Sequence, residues 1–225
     1  MVWTISRKLS AIIVTAVVLS VVAMGIQLYT LYNSIYAERQ KLIRSQVESA
    51  ISVLAHYEDK AKAGEMTLEE AQERAREATR PIRFGEGDYV FMYDPKGIRM
   101  MHPDVSLEGK SAWDTKDSRG TYQVREMLER AGEGGGYTTY YRPRLKGGDE
   151  IPKLTYSQTF TPWNWTVAGG LYIDDLTATF RSAALKAALA GLIFCLILVG
   201  CAIPLARSIS RPLATITAAM RRLAS

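Results

Sequence analysis

The sequence predicts an α+β fold in which an antiparallel sheet of about five strands lies against one long N-terminal helix, with a membrane-spanning helix at each end. Three observations carry this. Two uncharged apolar runs lie near the two ends of the 225-residue chain. Helical apolar spacing continues without a Gly or Pro from Ile26 to Ala63. Between Arg83 and Ile173, short runs of alternating residues are separated by turn residues.

The apolar runs cover residues 9–28 and 187–206, each about the twenty residues a helix needs to cross the hydrocarbon core. The first is longer than the apolar part of a typical signal peptide, roughly 7–15 residues. Arg7 and Lys8 precede it, and Arg207, Arg211, Arg221 and Arg222 follow the second, so the positive-inside rule puts both termini in the cytoplasm. The predicted order is a cytoplasmic N-terminus (1–8), a first span (9–31), an outer domain (32–182), a second span (183–206) and a cytoplasmic segment (207–225).

Ile35, Leu42, Ile43, Val47, Ala50, Ile51, Leu54, Tyr57 and Ala61 continue the first span as one helix that Gly64 ends. Thr67 to Glu70 has capping-box spacing, and Ala71, Ala75 and Ala78 give the next helix a narrow face, up to Arg80-Pro81. Tyr89, Phe91 and Tyr93 alternate with Val90 and Met92, giving a strand one aromatic and one aliphatic face before Asp94 to Gly97 turns the chain. Ile98 to His102 is the return strand. A polar loop and a short helix over Thr121 to Ala131 follow, then three strands at Tyr137 to Arg142, Lys153 to Phe160 and Trp165 to Ile173. Asp174-Asp175 suits a helix start, and nothing interrupts the sequence from there into the second span.

Both cysteines, Cys195 and Cys201, fall in the second span, which leaves the outer domain without a disulfide framework or a thiolate zinc site. The formal charge of +5 is made of mixed signs and gives no footprint for nucleic acid. His56 and His102 have no metal-ligand spacing around them, and no cofactor or metal is expected. Nucleophile-base-acid order, a phosphate loop and paired carboxylates in a cleft are absent from the outer domain, which points away from catalysis.

The pattern R-[FY]-G-x-x-D-Y-x-F at Arg83 to Phe91, Asp94-x-x-Gly97, His102-Pro103 and Leu107-x-Gly109-Lys110 resembles the extracytoplasmic single Cache domain, second subtype. The resemblance continues through Asp117-x-x-Gly120, Gly134 to Tyr140, Pro152-Lys153-x-x-Tyr156, Trp163-x-Trp165 and Gly170-x-Tyr172-x-Asp174-Asp175. Arg207 to Leu213, with Ile216, Met220 and Leu223, is similar to the start of a HAMP linker. This order resembles the N-terminal half of bacterial methyl-accepting chemotaxis receptors. The resemblance implies a PAS-like sheet, a periplasmic ligand-binding domain for C2–C4 carboxylates such as acetate, pyruvate or lactate, and a homodimeric inner-membrane receptor. Its spans would pack through Ala187, Ala188, Ala190, Gly191 and Gly200. Signalling would be a helix shift of about 1–2 Å passed to the linker. The sensor half of a histidine kinase or cyclase shares this order, and a membrane-anchored partner-binding or structural domain without a small ligand is the alternative of another class.

A small anion in a partly buried pocket needs charge-assisted donors and an aromatic wall. Lys153, at the start of a strand, either points into a pocket or is a solvated strand end. Arg83 either holds a carboxylate or pairs with Glu86 or Asp88. His102 either donates to the ligand or orients the following loop. Phe91, Tyr93, Trp113, Tyr140 and Tyr156 are the candidates for the wall. Arg142 stands where members of the family often carry an aromatic residue. Facing inward it favours a dicarboxylate or a more polar anion over acetate; facing outward it is uninformative.

Overall fold

The computed structural model describes residues 5–144 and 147–223. The chain divides into two compact units, Ser34–Thr177 and a second made of Met1–Asn33 with Ala178–Ser225. Helix α1 runs over Ile5–Lys62, the predicted single helix, and Gly64 ends it at φ 77°, a left-handed conformation that costs glycine little. Helix α2, Leu68–Thr79, begins at the expected cap, with the Glu70 N–H donating to Thr67 Oγ1 at 3.1 Å. Its buried face is Ala71, Ala75 and Thr79 in place of the expected Ala78, which is exposed. Thr79 tolerates burial because its hydroxyl donates back to the Ala75 carbonyl at 2.7 Å.

Among the described residues six strands follow: β1 Arg83–Phe84, β2 Asp88–Tyr93, β3 Arg99–Met101, β4 Gly136–Pro143, β5 Glu150–Phe160 and β6 Trp165–Tyr172. All pairings are antiparallel, in the order β1-β2-β6-β5-β4, with β3 also on β2. Because β1 and β3 pair with opposite ends of β2, the sheet is no wider than the expected sheet of about five strands. Asp94 fixes the β2–β3 turn, its Oδ1 accepting from Lys96 N–H and Ile98 N–H.

The alternation in β2 separates two cores. Val90 and Met92, with Leu154, Val167 and Leu171, pack against Ile43, Val47, Ala50 and Leu54 of α1. Gly169 lets α1 come close, since a Cβ there would lie 3.1 Å from the Val47 side chain. On the other face Phe91, Tyr93, Tyr140 and Ala168 pack with Ala112 and with Val124 and Met127 of α3, Gln123–Gly132. Ser157 anchors α3 to this face by donating to the Met127 carbonyl at 2.8 Å.

Helix α4 covers Asp174–Leu223. The side chains of the linker expected over 207–225 are outside the described part of the chain. Among the described residues two helices, α1 and α4, are long and apolar enough to cross a membrane. Within the second unit, a Cβ on Gly191 would lie 2.7 Å from Met24 Cε, so this glycine lets the two apolar helices approach each other. Ser20 and Thr30 donate to carbonyls one turn back, which satisfies their hydroxyls without water.

Candidate functional site

Direct strand partners point to the same side of a sheet. The pairings Tyr89↔Gly170↔Thr155↔Thr138 and Tyr140↔Lys153↔Tyr172 therefore put Tyr89, Thr155, Tyr140, Lys153 and Tyr172 on the α3 face. Helix α3 is anchored at Ser157, and Lys153 is four residues away along β5, about 13 Å at strand rise. A cavity opens on this face, lined by Tyr89, Phe91, Tyr93, Arg99, His102, Tyr140 and Arg142. Its volume is about 20 Å³, room for about one water and far below the roughly 300–1,000 Å³ of small-molecule sites, so the aromatic side chains fill it and a ligand enters only as they move aside. A second, open groove is lined by Ile35, Glu38, Arg39, Lys41, Leu42 and Ser45, all from α1.

Lys153 is 1 % exposed, yet it takes part in no ion pair among the described residues. Its ammonium lies 4.4 Å from the centre of the Tyr89 ring and 4.8 Å from that of Tyr172. Two desolvated cation-π contacts offset part of the several kcal/mol that burying the charge costs. Burial accordingly lowers its pKa to about 8, against the opposing pull of the Asp88 carboxylate, with Arg142 and Arg144 pushing it further down. The amine stays largely protonated at neutral pH. Gly170 makes room for it: a Cβ there would meet Lys153 Cε at 2.9 Å and Thr155 Oγ1 at 2.3 Å. Asp88 is buried, and that burial raises its carboxyl pKa while Lys153 lowers it.

His102 sits edge-on to Tyr89, ring centres 5.2 Å apart, and its Nδ1 accepts from Asp104 N–H at 2.9 Å. The acceptor role at Nδ1 leaves the neutral ring's proton on Nε2 as a donor. Burial lowers its pKa to about 4, so the ring is uncharged at pH 7. Both readings of this residue are therefore compatible with one position, since it holds the following loop and lines the cavity. The Tyr140 hydroxyl, its pKa raised by burial, lies beside Thr155, whose own hydroxyl makes no hydrogen bond of standard geometry.

Of the candidates read from the sequence, Phe91, Tyr93, His102, Tyr140 and Arg142 come together at the cavity, and Lys153 lies behind Tyr89. Three do not come to it. Arg83 is exposed, and in place of an acid it finds the carbonyls of Arg80 and Ile82, at 2.7 and 2.9 Å, at the end of α2. Trp113 is 38 % exposed and packs on the tight turn, 3.2 Å from where a Gly97 Cβ would stand, with the Arg125 guanidinium over its ring. Tyr156 belongs to the opposite face and stacks on Tyr137 beside α1, because one step along β5 from Thr155 reverses the side. Arg99, Tyr89 and Tyr172 are the residues that sequence reasoning left out. The pairing Tyr93↔Arg99 is the signal that places Arg99 next to the aromatic face.

Loop positions singled out by the sequence have structural work. Asp117 Oδ1 accepts from Arg119 and Thr121 N–H, and Oδ2 from Tyr141 N–H, tying the loop to β4. Burial opposes its charge, but these donors outweigh it and hold the carboxyl below its usual range. Around the start of α4, Arg144 donates to Asp174 at 2.8 Å and Glu86 at 3.0 Å, and Arg39 pairs with Asp175 at 2.6 Å. The Arg144 guanidinium also lies 4.8 Å from the Tyr172 ring centre.

A sheet backed by one long helix and hollowed on its other face into an aromatic, cationic cavity is the construction of a PAS-like sensor domain. The single Cache domain 2 family matches residues 35–186, and the chain belongs to that family. Methyl-accepting chemotaxis protein McpP of Pseudomonas putida is 31 % identical over 224 residues, covering 99 % of this chain and 41 % of the relative. A solved periplasmic sensor domain of a chemotaxis protein is 30 % identical with a TM-score of 0.59, covering 62 % of this chain and 98 % of that one. A Cache chemosensory domain, solved to explain carboxylic acid recognition, is 29 % identical with a TM-score of 0.59, covering 63 % of this chain and 98 % of that one. The chain spans less than half the length of the curated relatives it matches.

Proposed function

We propose that this chain is the sensory half of an inner-membrane chemotaxis receptor whose periplasmic domain, residues 32–182, binds a small carboxylate. The spans are residues 9–31 and 183–206, both termini are cytoplasmic, and the HAMP linker starts in 207–225. The observation that carries the ligand reading is the buried, unpaired ammonium of Lys153 next to an aromatic cavity edged by Arg99, His102 and Arg142. A core lysine in no ion pair loses stability that the field of Asp88 offsets only in part, and a carboxylate from outside restores what desolvation removed. The likeness to a domain solved for carboxylic acid recognition supports the same chemistry.

The site residues are Lys153 as charge anchor, His102 as neutral donor, Arg142 and Arg99 at the edge, and Tyr89, Phe91, Tyr93 and Tyr140 as the wall that excludes water. Binding reaches the membrane through Tyr172, which contacts Lys153 and lies two residues before α4. Ligand binding then favours one of two positions of α4 relative to α1, and the linker reads the difference in the homodimer.

The test is the melting temperature of the sensor domain against two- to four-carbon carboxylates, amino acids and amines. Ligand at a hundred times its dissociation constant adds about 2.7 kcal/mol, a shift of several degrees. A carboxylate shift abolished in Lys153→Ala supports the reading. No shift across the panel overturns it in favour of a partner-binding domain without a small ligand.

A further inference from the structure

We propose that the site takes an anion with two acid groups, one held by Lys153 and the other between Arg99 and Arg142, so that these two arginines select short dicarboxylates over monocarboxylates. This rests on the carboxylate-sensor reading above and specifies its ligand.

The argument is one of charge and position. Arg99 and Arg142 both line the cavity, and neither is in an ion pair among the described residues. The arginines around them are engaged: Arg144 by Glu86 and Asp174, Arg80 by Glu108, and Arg83 by backbone carbonyls. Of the acids beside His102, Glu108 is held by Arg80 and accepts from the His102 N–H, and Asp104 is exposed and accepts from the Ser106 N–H, so neither answers the cavity's charge. Asp88 pulls on Lys153 without forming an ion pair with it, so it offsets one unit of the charge that Lys153, Arg99 and Arg142 carry together. His102 is neutral at physiological pH. A net surplus of two positive charges, spread over these three side chains, therefore remains for a ligand.

They are separated in space. Lys153 is the direct strand partner of Tyr140, and Arg142 is the next residue on that face of β4, about 7 Å further on at strand rise. Arg99 comes from β3, on the far side of Tyr93. A compact dianion can satisfy one pole only, whereas a short diacid reaches both. Its first carboxylate takes the place the Tyr89 ring now holds over the ammonium, a swing about χ1 on the open side of the sheet. Its second meets the guanidiniums, whose planar forks suit a carboxylate.

The experiment is calorimetric titration of the full chain in detergent micelles, at pH 7.5 and fixed ionic strength, with succinate, butyrate, acetate and inorganic phosphate. Succinate should bind at least about tenfold tighter than butyrate, which has the same chain length and one acid group less. Arg99→Gln and Arg142→Gln should each weaken succinate about tenfold while changing butyrate less than about twofold, and Arg142→Lys should recover part of the loss. Equal affinity for the two acids, or arginine variants that weaken both alike, overturns the dicarboxylate proposal and leaves the carboxylate sensor standing. Phosphate as tight as succinate overturns the two-pole geometry. Absence of binding by every acid overturns the sensor reading with it.

Discussion

Replacing Lys153 by methionine removes the buried charge and keeps an unbranched side chain of similar reach. The ammonium is 1 % exposed and rests on two aromatic rings without an ion pair among the described residues. Burial lowers its pKa from 10.5 to about 8, and at 1.36 kcal/mol per unit the charged form costs the folded state about 3 kcal/mol. The sign follows from proton counting. Between about pH 8 and 10.5 the unfolded chain binds more protons than the folded one, so stability rises with pH through that window. Below about pH 8 both states are protonated and the whole cost is present. Lys153→Met lacks the cost but also loses the cation-π contacts and the counter-charge to Asp88, so a net gain of about 1–3 kcal/mol at pH 7 is expected. Urea unfolding of the unit Ser34–Thr177 measures this directly, and its melting temperature should rise by about 3 °C per kcal/mol. The gain over wild type should shrink as pH is raised from 8 to 10.5. A variant less stable than wild type at pH 7, or a difference that ignores pH, would refute the view that Lys153 is held for a ligand; it would make the residue a structural partner of Asp88.

Gly170→Ala puts a methyl 2.3 Å from Thr155 Oγ1 and 3.1 Å from the Leu154 carbonyl. Thr155 is β-branched and cannot turn away, so a loss of about 1–3 kcal/mol and weaker ligand binding are expected, read by unfolding and titration. His102, with its pKa lowered from 6.5 to about 4, makes the folded state bind fewer protons than the unfolded one in that window. Stability should therefore fall as pH drops through it, and His102→Gln should flatten that part of the profile. Arg83→Ala and Trp113→Ala, at positions away from the cavity, should change ligand affinity by less than about twofold, measured by the same titration.

The two apolar runs, the long helix and the strands were legible because each rests on local signals: run length, apolar period and turn residues. The two-faced β2 was legible for the same reason, since alternation alone sends Val90 and Met92 to α1 and Phe91 and Tyr93 to the other core. What depends on register was not. Tyr156 lies one residue past Thr155 and so faces α1, and Arg99 reaches the cavity only because Tyr93 pairs with it across a β2–β3 irregularity. Arg83 and Trp113 have the right chemistry for an anion site, but the end of α2 and the Gly97 turn claim them first. Lys153 shows the limit of local reading. Its burial follows from the missing side chain of Gly170, on a strand seventeen residues later, which pattern alone does not pair with it.

The most direct test of the account is a crystal structure of the sensor domain with the carboxylate that raises its melting temperature most. The account predicts the anion in the cavity formed by Tyr89, Phe91, Tyr93, Arg99, His102, Tyr140 and Arg142, with one carboxylate oxygen within hydrogen-bond distance of Lys153 Nζ. An anion bound elsewhere on the domain, with Tyr89 still covering Lys153, would contradict it.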